Sequence, residues 1–330
     1  MCAAPHSIIK CEAGGAHCKF CKESVIPMDI KKYQGIIPAF YACYDDQGEI
    51  SLPRTRALAQ YLLDTGAKGL YVGGSSGECI YQSVAERKAI LEEVMKTVGG
   101  KMTIIAHVAC NNTADSQELA RHAESLGVDA IAAIPPIYFH LPPYGIAGYW
   151  NDISAAAPNT DFIIYNIPQL AGVALTPALL AEMRKNPRVI GVKNSSMPTQ
   201  DIQMWKDQGG EDFVVMNGPD EQLISGLAMG ATGGIGGTYA VMLPLFLKIY
   251  GCVRTGDIAT GQKVQNEVCR IIYKLCEAKG NLYAVMKAIL KKHGLELGGV
   301  RKPLPALEES DGKIVDEADG MIQAAISKYC

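Results

Sequence analysis

Val189–Ser195 reads VIGVKNS, a short apolar run that ends in Lys193 and two further polar residues. Strands that are buried on both faces consist of near-continuous hydrophobic runs, whereas half-exposed strands alternate apolar and polar residues. The run therefore predicts a parallel strand, buried on both faces, whose carboxyl end carries a lysine.

The same kind of run recurs seven more times, and amphipathic helical patterns separate the runs. One pattern starts with Ser83 three residues before Glu86, which is the signature of a helical capping box. Another starts with Thr176 and Pro177, which places proline at the first helical position. The seven runs are Gly35–Phe40, Gly69–Gly74, Met102–Val108, Ala130–Pro136, Phe162–Pro168, Phe213–Gly218 and Gly233–Thr238.

Eight strand–helix units, each long enough for a right-handed crossover, predict an α/β protein with a closed (β/α)8 TIM barrel. The alternative is a doubly wound open sheet, which normally has fewer strands. Helical patterns continue after the eighth run, so we expect a C-terminal helical extension packed on the barrel. The predicted division is a disordered leader at residues 1–31, the barrel at 32–254 and the C-terminal helices at 255–330.

The composition indicates a globular metabolic protein. Its 330 residues are 48% hydrophobic and 20% charged, and the formal net charge is −3. Without a block of lysine and arginine, nucleic acid and anionic membranes are not expected partners. The chain also has no apolar run long enough to span a membrane and no secretory signal pattern, so the expected location is cytoplasmic.

Four of the eleven cysteines lie in the first 21 residues, where Cys18 and Cys21 form a C-x-x-C motif. Thiolates at this spacing can share one Zn²⁺, but a second C-x-x-C is missing. We interpret the segment as a leader that precedes a second plausible start at Met28, and we expect neither a metal nor an organic cofactor. The other seven cysteines are expected to be small buried hydrophobes in a reducing compartment.

Polar residues follow several of the runs. In a barrel of this kind, functional groups gather at the carboxyl ends of the strands, so these residues should share one rim. An amine, a phenol, hydroxyls and carboxylates that meet at one rim predict an active site for a small-molecule substrate. The rim segments are Gly73–Glu78, Tyr165–Asn166, Lys193–Ser195, Asn217–Glu221 and Gly236–Thr238.

Lys193 is the central candidate, because no acidic residue lies within four positions of it on either side. Burial disfavours the ammonium form, lowers the pKa and leaves a neutral amine that can attack a carbonyl carbon. Tyr165 ends the preceding strand, so its phenol can lie beside this amine and transfer protons. The alternatives are a lysine that extends to solvent and a tyrosine that only packs on the rim.

Two other rim segments suit a hydroxylated keto acid. The glycines of Gly73–Glu78 (GGSSGE) let backbone N–H groups approach a carboxylate, although the segment lacks the P-loop pattern. Asp220 and Glu221 are interpreted as acceptors of hydrogen bonds from sugar hydroxyls. A divalent metal between them is the alternative, but no histidine lies near them in the sequence.

These motifs resemble those of the N-acetylneuraminate lyase / dihydrodipicolinate synthase family of class I aldolases, over roughly residues 32–305. The resemblance rests on GGSSGE, on YNIPQLAG (Tyr165–Gly172), and on Lys193 standing twenty-eight residues after Tyr165. It implies that Lys193 forms a Schiff base and that Tyr165 donates and accepts the protons.

The resemblance also assigns the other catalytic groups. It implies that Ser75 and Ser76 bind the keto-acid carboxylate and that Ser75 links Tyr165 to a second tyrosine, Tyr138. It further implies a homotetramer, built from two tight dimers with Tyr138 near the partner subunit.

Two loops favour the members of the family that cleave N-acetylneuraminate into pyruvate and N-acetylmannosamine, reversibly. The synthases carry an arginine after the fifth strand that holds a second carboxylate, and Pro168–Gly172 (PQLAG) has none. Gly218–Glu221 (GPDE) is similar to the G-x-D-E of the sialic acid-cleaving members. The predicted substrate-binding residues are Ser75, Ser76, Ser195, Gly218, Asp220, Glu221 and Gly237.

The chain departs from the family pattern at three places. Ala42 and Cys43 replace a Thr-Pro pair, Ser76 replaces a common threonine, and Gly237 replaces a serine that bonds the sugar. Losing one hydrogen bond of about 0.5–1.5 kcal/mol weakens sugar binding without abolishing it.

Two alternative functions stay open. One is another pyruvate-dependent aldolase or synthase of the family, such as a dihydrodipicolinate synthase or a 2-keto-3-deoxy sugar acid aldolase. The other is a sugar- or keto-acid-binding regulator that keeps the fold without turnover.

Overall fold

Eight parallel strands form one sheet in the computed structural model, which describes residues 30–330. Each strand lies within one of the eight predicted runs, except that the fifth strand begins one residue earlier, at Asp161. The strands are β1 (Gly35–Pro38), β2 (Gly69–Val72), β3 (Thr103–His107), β4 (Ala130–Ala133), β5 (Asp161–Asn166), β6 (Val189–Asn194), β7 (Val214–Asn217) and β8 (Gly233–Gly236).

The sheet closes on itself. Its strand order runs from β1 through β8 and back along the chain to β2. β1 and β2 then meet across the remaining gap, where Ala39 bridges Tyr71 and the Phe40 N–H donates to the Tyr71 carbonyl at 2.9 Å. The predicted (β/α)8 TIM barrel is confirmed.

Helices follow the strands and cover the outside of the barrel. Local sequence explains where several begin: the Ser83–Glu86 capping box is formed, and the Thr176 hydroxyl caps the helix that Pro177 opens. The helices are α1 (Leu52–Asp64), α2 (Val84–Val98), α3 (Thr113–Ser125), α4 (Pro143–Ala156), α5 (Pro168–Ala171), α6 (Pro177–Met183), α7 (Thr199–Gly209), α8 (Leu223–Ala228), α9 (Tyr239–Thr255), α10 (Ile258–Leu275), α11 (Leu282–Lys292) and α12 (Gly312–Tyr329).

The helices predicted beyond the eighth strand are present as α10, α11 and α12, which pack on α9 and on one another. The predicted boundary at residue 254 falls at the end of α9. Nearly all of the predicted leader, with its C-x-x-C motif, lies outside the described residues. Within 30–330, no helix is both long enough and apolar enough to cross a bilayer.

The core has two parts. One fills the space between strands and helices, and the other fills the barrel interior with side chains from all eight strands. Tyr33 closes the amino-terminal end of this interior, where its hydroxyl donates to the Asp161 carboxylate at 2.7 Å. At the opposite end, Tyr71, Tyr165 and Lys193 are buried at the carboxyl ends of their strands.

A buried ion pair joins the Gly73–Glu78 turn to the C-terminal helices. The Lys287 ammonium on α11 donates to the Glu78 carboxylate at 2.9 Å, and both side chains are almost fully buried. The same carboxylate accepts hydrogen bonds from the Arg301 N–H at 2.9 Å and from the Tyr44 hydroxyl at 3.2 Å. The C-terminal extension therefore fixes the turn that begins at the end of β2.

We expect Lys287→Met to destabilise the protein strongly, because it leaves the Glu78 carboxylate buried without its cation. Breaking such a pair from one side costs about 3–5 kcal/mol. Thermal and urea unfolding measure the loss. Lys279→Met is the matched control, since its pair with Glu308 is exposed and such pairs contribute about 1 kcal/mol or less. Equal losses in the two variants would contradict this account of the turn.

Candidate active site

Lys193 and Tyr165 are paired residues on the neighbouring strands β6 and β5, so their side chains lie next to each other in the barrel. The Lys193 side chain is only 4% exposed. Its Nζ lies 3.9 Å from the centre of the Tyr165 ring and 4.0 Å from the centre of the Tyr71 ring. The lysine therefore does not extend to solvent.

Burial lowers the pKa of Lys193 from 10.5 to about 7, against smaller opposing effects of the Asp220 carboxyl and the Cys79 thiol. An aliphatic amine with this pKa is about half neutral at pH 7 and largely neutral above it. The predicted lowering is thus confirmed, and a nucleophilic amine lies inside the barrel rim.

Tyr165 is buried and is hydrogen-bonded to the side chains of Ser75 and Ser195. Burial raises the pKa of its phenol to about 12, while the two serine hydrogen bonds act in the opposite direction. The phenol is therefore protonated at rest. Its hydroxyl is held between two hydroxyl groups, which can stabilise the phenolate when the proton leaves.

The Gly73–Glu78 turn places its second serine beside a residue from the C-terminal helices. Ser76 is buried, and its hydroxyl donates to the Tyr283 hydroxyl on α11 at 3.3 Å. Gly237 lies at the same point, because a Cβ added there would be 3.2 Å from the Ser76 Oγ and 4.0 Å from the Tyr283 hydroxyl. Tyr283 thus brings a hydroxyl to the position where Gly237 has no side chain.

Asp220 and Glu221 occupy different environments, although the sequence suggested equivalent roles for them. The buried Asp220 carboxylate accepts hydrogen bonds from the Thr238 N–H and hydroxyl, both at 2.6 Å, and burial raises its pKa to about 7. Glu221 is exposed at the rim. One oxygen of Asp220 is therefore already used inside the protein.

Gly218 lies against Ser195. A Cβ at Gly218 would be only 2.0 Å from the Ser195 Oγ, so a glycine is required for the close approach of the β6 and β7 ends. This approach keeps the Ser195 hydroxyl at the Tyr165 phenol.

Tyr138 is the predicted catalytic residue that the structure does not bring to Lys193 within one chain. It lies in the loop between β4 and α4, its side chain is 87% exposed, and its ring packs edge-on against Phe139 at 5.0 Å. Its backbone φ of +80° turns the chain at this residue. The loop carries the Tyr138 side chain outward, so Tyr138 does not reach Ser75 within one chain. The link from Ser75 to Tyr138 therefore stays a prediction about assembled subunits.

Three site residues were missed from the sequence. Tyr71 and His107 lie on β2 and β3, in apolar runs where each reads as ordinary core. Their position in the barrel interior is the signal that could have found them, since alternate residues of a strand face the same side. Tyr283 gave no signal, because it lies on a helix far from the strands in sequence.

His107 supports the site through contacts with Gly73 and Tyr165. One ring nitrogen, Nδ1, is 2.8 Å from the Gly73 carbonyl, and the ring packs edge-on against Tyr165 at 5.9 Å. Burial, Arg87 and Lys193 hold the His107 pKa well below its usual value, so the ring is neutral and Nδ1 donates to the carbonyl. His107 thereby connects the Gly73–Glu78 turn to the tyrosine.

Metal ligands do not gather in the described part of the chain. Residues 30–330 contain no group of three or more histidine, cysteine, aspartate or glutamate side chains that could hold an ion. The C-x-x-C motif of Cys18 and Cys21 lies outside these residues.

The fold and the site together define a (β/α)8-barrel protein with a buried amine at its carboxyl rim. Comparison with known proteins gives the family. The model of the dihydrodipicolinate synthetase family matches residues 32–318. The chain belongs to this family.

Individual relatives are similar over nearly the whole chain. The N-acetylneuraminate lyase of Mediterraneibacter gnavus is 64% identical over 302 residues, which are 91% of this chain and 96% of that protein. The N-acetylneuraminate lyase of Salmonella agona is 35% identical over 84% of this chain and 93% of that protein. A solved structure of the wild-type sialic acid aldolase of Ruminococcus gnavus, 64% identical, superposes with a TM-score of 0.90 and covers 91% of this chain and 100% of that one.

We expect Lys193→Met to be more stable than the parent protein near neutral pH. Because the folded-state pKa of Lys193 lies below the unfolded value, the unfolded chain binds the proton more tightly, and stability falls as the pH drops from about 10 towards 7. At 1.36 kcal/mol per pKa unit the penalty is at most about 5 kcal/mol. Melting temperatures from pH 7 to 10 measure the difference.

The difference between Lys193→Met and the parent should shrink towards pH 10, where the amine is neutral in both states. Lys313→Met, at a side chain that is 79% exposed, serves as the control and should show no such trend. A Lys193→Met protein that is less stable than the parent across this range would refute an unpaired buried amine.

Proposed function

We propose that the protein is a class I aldolase that cleaves N-acetylneuraminate to pyruvate and N-acetylmannosamine, reversibly, through a Schiff base on Lys193. The observation that carries this proposal is the buried Lys193 amine with a pKa of about 7, which lies against Tyr165. The relatives named N-acetylneuraminate lyase, at 64% and 35% identity, support the choice of substrate.

The reaction starts at the neutral amine. The Lys193 nitrogen attacks C2 of the open-chain keto acid, and one of its protons passes to the carbonyl oxygen to give a carbinolamine. Tyr165 donates its phenolic proton to the departing hydroxyl, so water leaves, and an iminium and a phenolate remain. The hydrogen bonds of Ser75 and Ser195 stabilise this phenolate.

Cleavage uses the charges created in the first step. The Tyr165 phenolate takes the proton of the C4 hydroxyl, the C3–C4 bond breaks, and its electrons flow into the iminium to form an enamine. N-acetylmannosamine leaves as the aldehyde. Protonation of the enamine at C3 and hydrolysis then release pyruvate and restore the amine, with no metal or organic cofactor in any step.

The remaining rim residues are assigned to substrate binding. Ser75 and Ser76, with the backbone of their turn, hold the carboxylate of the keto acid. Asp220, Glu221 and the Gly218 and Gly237 backbones face the hydroxylated chain of the sugar. Tyr283 supplies a hydroxyl beside Gly237 and joins this group.

A homotetramer is part of the proposal. Tyr138 and Phe139 are 87% and 71% exposed on the loop after β4, and large exposed aromatic side chains are typical of subunit interfaces. We infer that Tyr138 contacts the partner subunit, near its active site. A cytoplasmic location fits the seven cysteines of residues 30–330, which are all free thiols.

Borohydride trapping tests the chemistry. With pyruvate and borohydride, we expect one stable adduct on the peptide that contains Lys193, because reduction converts the iminium to a secondary amine. Lys193→Ala should lose the adduct, and its cleavage rate should fall by at least about 10³-fold, since within residues 30–330 no other buried lysine lies on a barrel strand. Mass spectrometry and pyruvate release from N-acetylneuraminate measure the two effects.

The rival synthase function is tested in the same preparation. Condensation of pyruvate with aspartate semialdehyde should be far slower than N-acetylneuraminate cleavage, because the loop after β5 lacks an arginine. A fully active Lys193→Ala protein would refute the Schiff base. An adduct on Lys193 without any cleavage of N-acetylneuraminate would instead refute the substrate.

Tyr283→Phe tests the proposed sugar-binding hydroxyl. Loss of one hydrogen bond of about 0.5–1.5 kcal/mol should raise the KM for N-acetylneuraminate about 2- to 13-fold, with a smaller effect on pyruvate binding measured by trapping. Tyr250→Phe, on the outer helix α9, is the matched control. An unchanged KM in Tyr283→Phe would remove this residue from the binding site.

A further inference from the structure

The Lys193 amine lies between the faces of two tyrosine rings. Its Nζ is 4.0 Å from the centre of the Tyr71 ring on β2 and 3.9 Å from the centre of the Tyr165 ring on β5. The two rings meet edge-to-face at 5.6 Å, and both side chains are buried. Tyr165 has a proposed role in proton transfer, whereas the mechanism above gives Tyr71 none.

No anion neutralises the amine directly. Within residues 30–330, Lys193 makes no hydrogen bond and no ion pair through its Nζ. The carboxyl that acts on Lys193, that of Asp220, is bonded to Thr238 and acts only through space. The titratable groups that face the amine are Tyr71 from β2, Cys79 from the turn after it, His107 from β3, Tyr165 from β5 and Asp220 from the loop after β7.

The ring face of Tyr71, rather than its hydroxyl, is the part that can act. The hydroxyl is buried and, among the described residues, has no hydrogen-bond partner. The pKa of this phenol lies well above its usual value because of burial, so it does not ionise. An aromatic face within about 6 Å of a cation attracts it, and most strongly where water is excluded.

We propose that Tyr71 is a further catalytic residue, whose ring face stabilises the cationic iminium on Lys193 by a cation–π interaction. This inference rests on the proposed Schiff-base function. The neutral amine gains little from the rings, while the iminium gains from both faces. Tyr71 thereby favours the intermediate over the resting enzyme.

The change in charge on iminium formation makes the effect of Tyr71 depend on pH. From the neutral amine, the net step consumes one carbonyl group and one proton and yields iminium and water, so a positive charge appears between the rings. From the ammonium, the same products form without any change in charge. Tyr71 therefore favours iminium formation above the pKa of Lys193 and has little effect below it.

A graded series at position 71 tests this inference. Tyr71→Phe is the reference, a 3,4,5-trifluorophenylalanine at the same position keeps the shape but weakens the ring face, and Tyr71→Leu removes the ring. The equilibrium constant for iminium formation with pyruvate is measured by borohydride trapping and mass spectrometry at pH about 6 and about 8.5. Tyr273→Leu, at an exposed tyrosine on α10, is the matched control.

Relative to Tyr71→Phe, the trifluorinated and leucine variants should weaken iminium formation about 5- to 30-fold at the higher pH and less than about 2-fold at the lower pH. If Tyr71 had a merely structural role, its replacement would weaken trapping equally at the two pH values. Equal effects at the two pH values, or a trifluorinated protein that matches Tyr71→Phe, would overturn the inference.

The fluorinated variant decides the question even if Tyr71→Leu fails to fold, because its shape is almost that of phenylalanine. Failure of the proposed function looks different, since the parent protein would then trap no pyruvate at all. If the parent protein traps pyruvate but the variants at position 71 behave alike, only the role of Tyr71 is contradicted, and the proposed function stands.

Discussion

The Lys193 amine is held at the carboxyl end of β6 against two aromatic rings, with no carboxylate at bonding distance among the described residues. Removing a cation from water in this way is costly, and the amine responds by becoming neutral near physiological pH. The same surroundings then favour a cation once a carbonyl is attached. Desolvation keeps the Lys193 amine neutral and nucleophilic, and the aromatic ring faces are suited to the cationic iminium.

The rest of the site keeps this environment in place. The pairing of β5 with β6 sets Tyr165 beside Lys193, and the Ser75 and Ser195 hydroxyls hold its phenol. The turn that carries Ser75 is itself fixed by the buried ion pair between Glu78 and Lys287 on α11. The C-terminal helices thus contribute to the active site from outside the barrel, through this ion pair and through Tyr283.

Much of this arrangement is predictable from sequence because the positions and ends of the strands are local properties. Eight apolar runs define the barrel, and the rule that functional groups follow the strands selects Lys193 and Tyr165. Tyr283 is not predictable in this way, since its place depends on how α11 packs across the rim. The difference in exposure between Asp220 and Glu221 also depends on packing. The burial of Asp220 and its hydrogen bond with Thr238 arise only in the folded chain. The direction of the Tyr138 side chain is not predictable either, because a loop conformation, with φ of +80°, decides it.

The most direct test of the central claim is the pKa of the Lys193 amine itself. Competitive acetylation with trace acetic anhydride, followed by mass spectrometry of the peptide containing Lys193, gives its reactivity as a function of pH in the intact protein. We expect half-maximal reactivity near pH 7, as the pKa of about 7 requires. A midpoint near 10, the value of an ordinary exposed lysine, would contradict it.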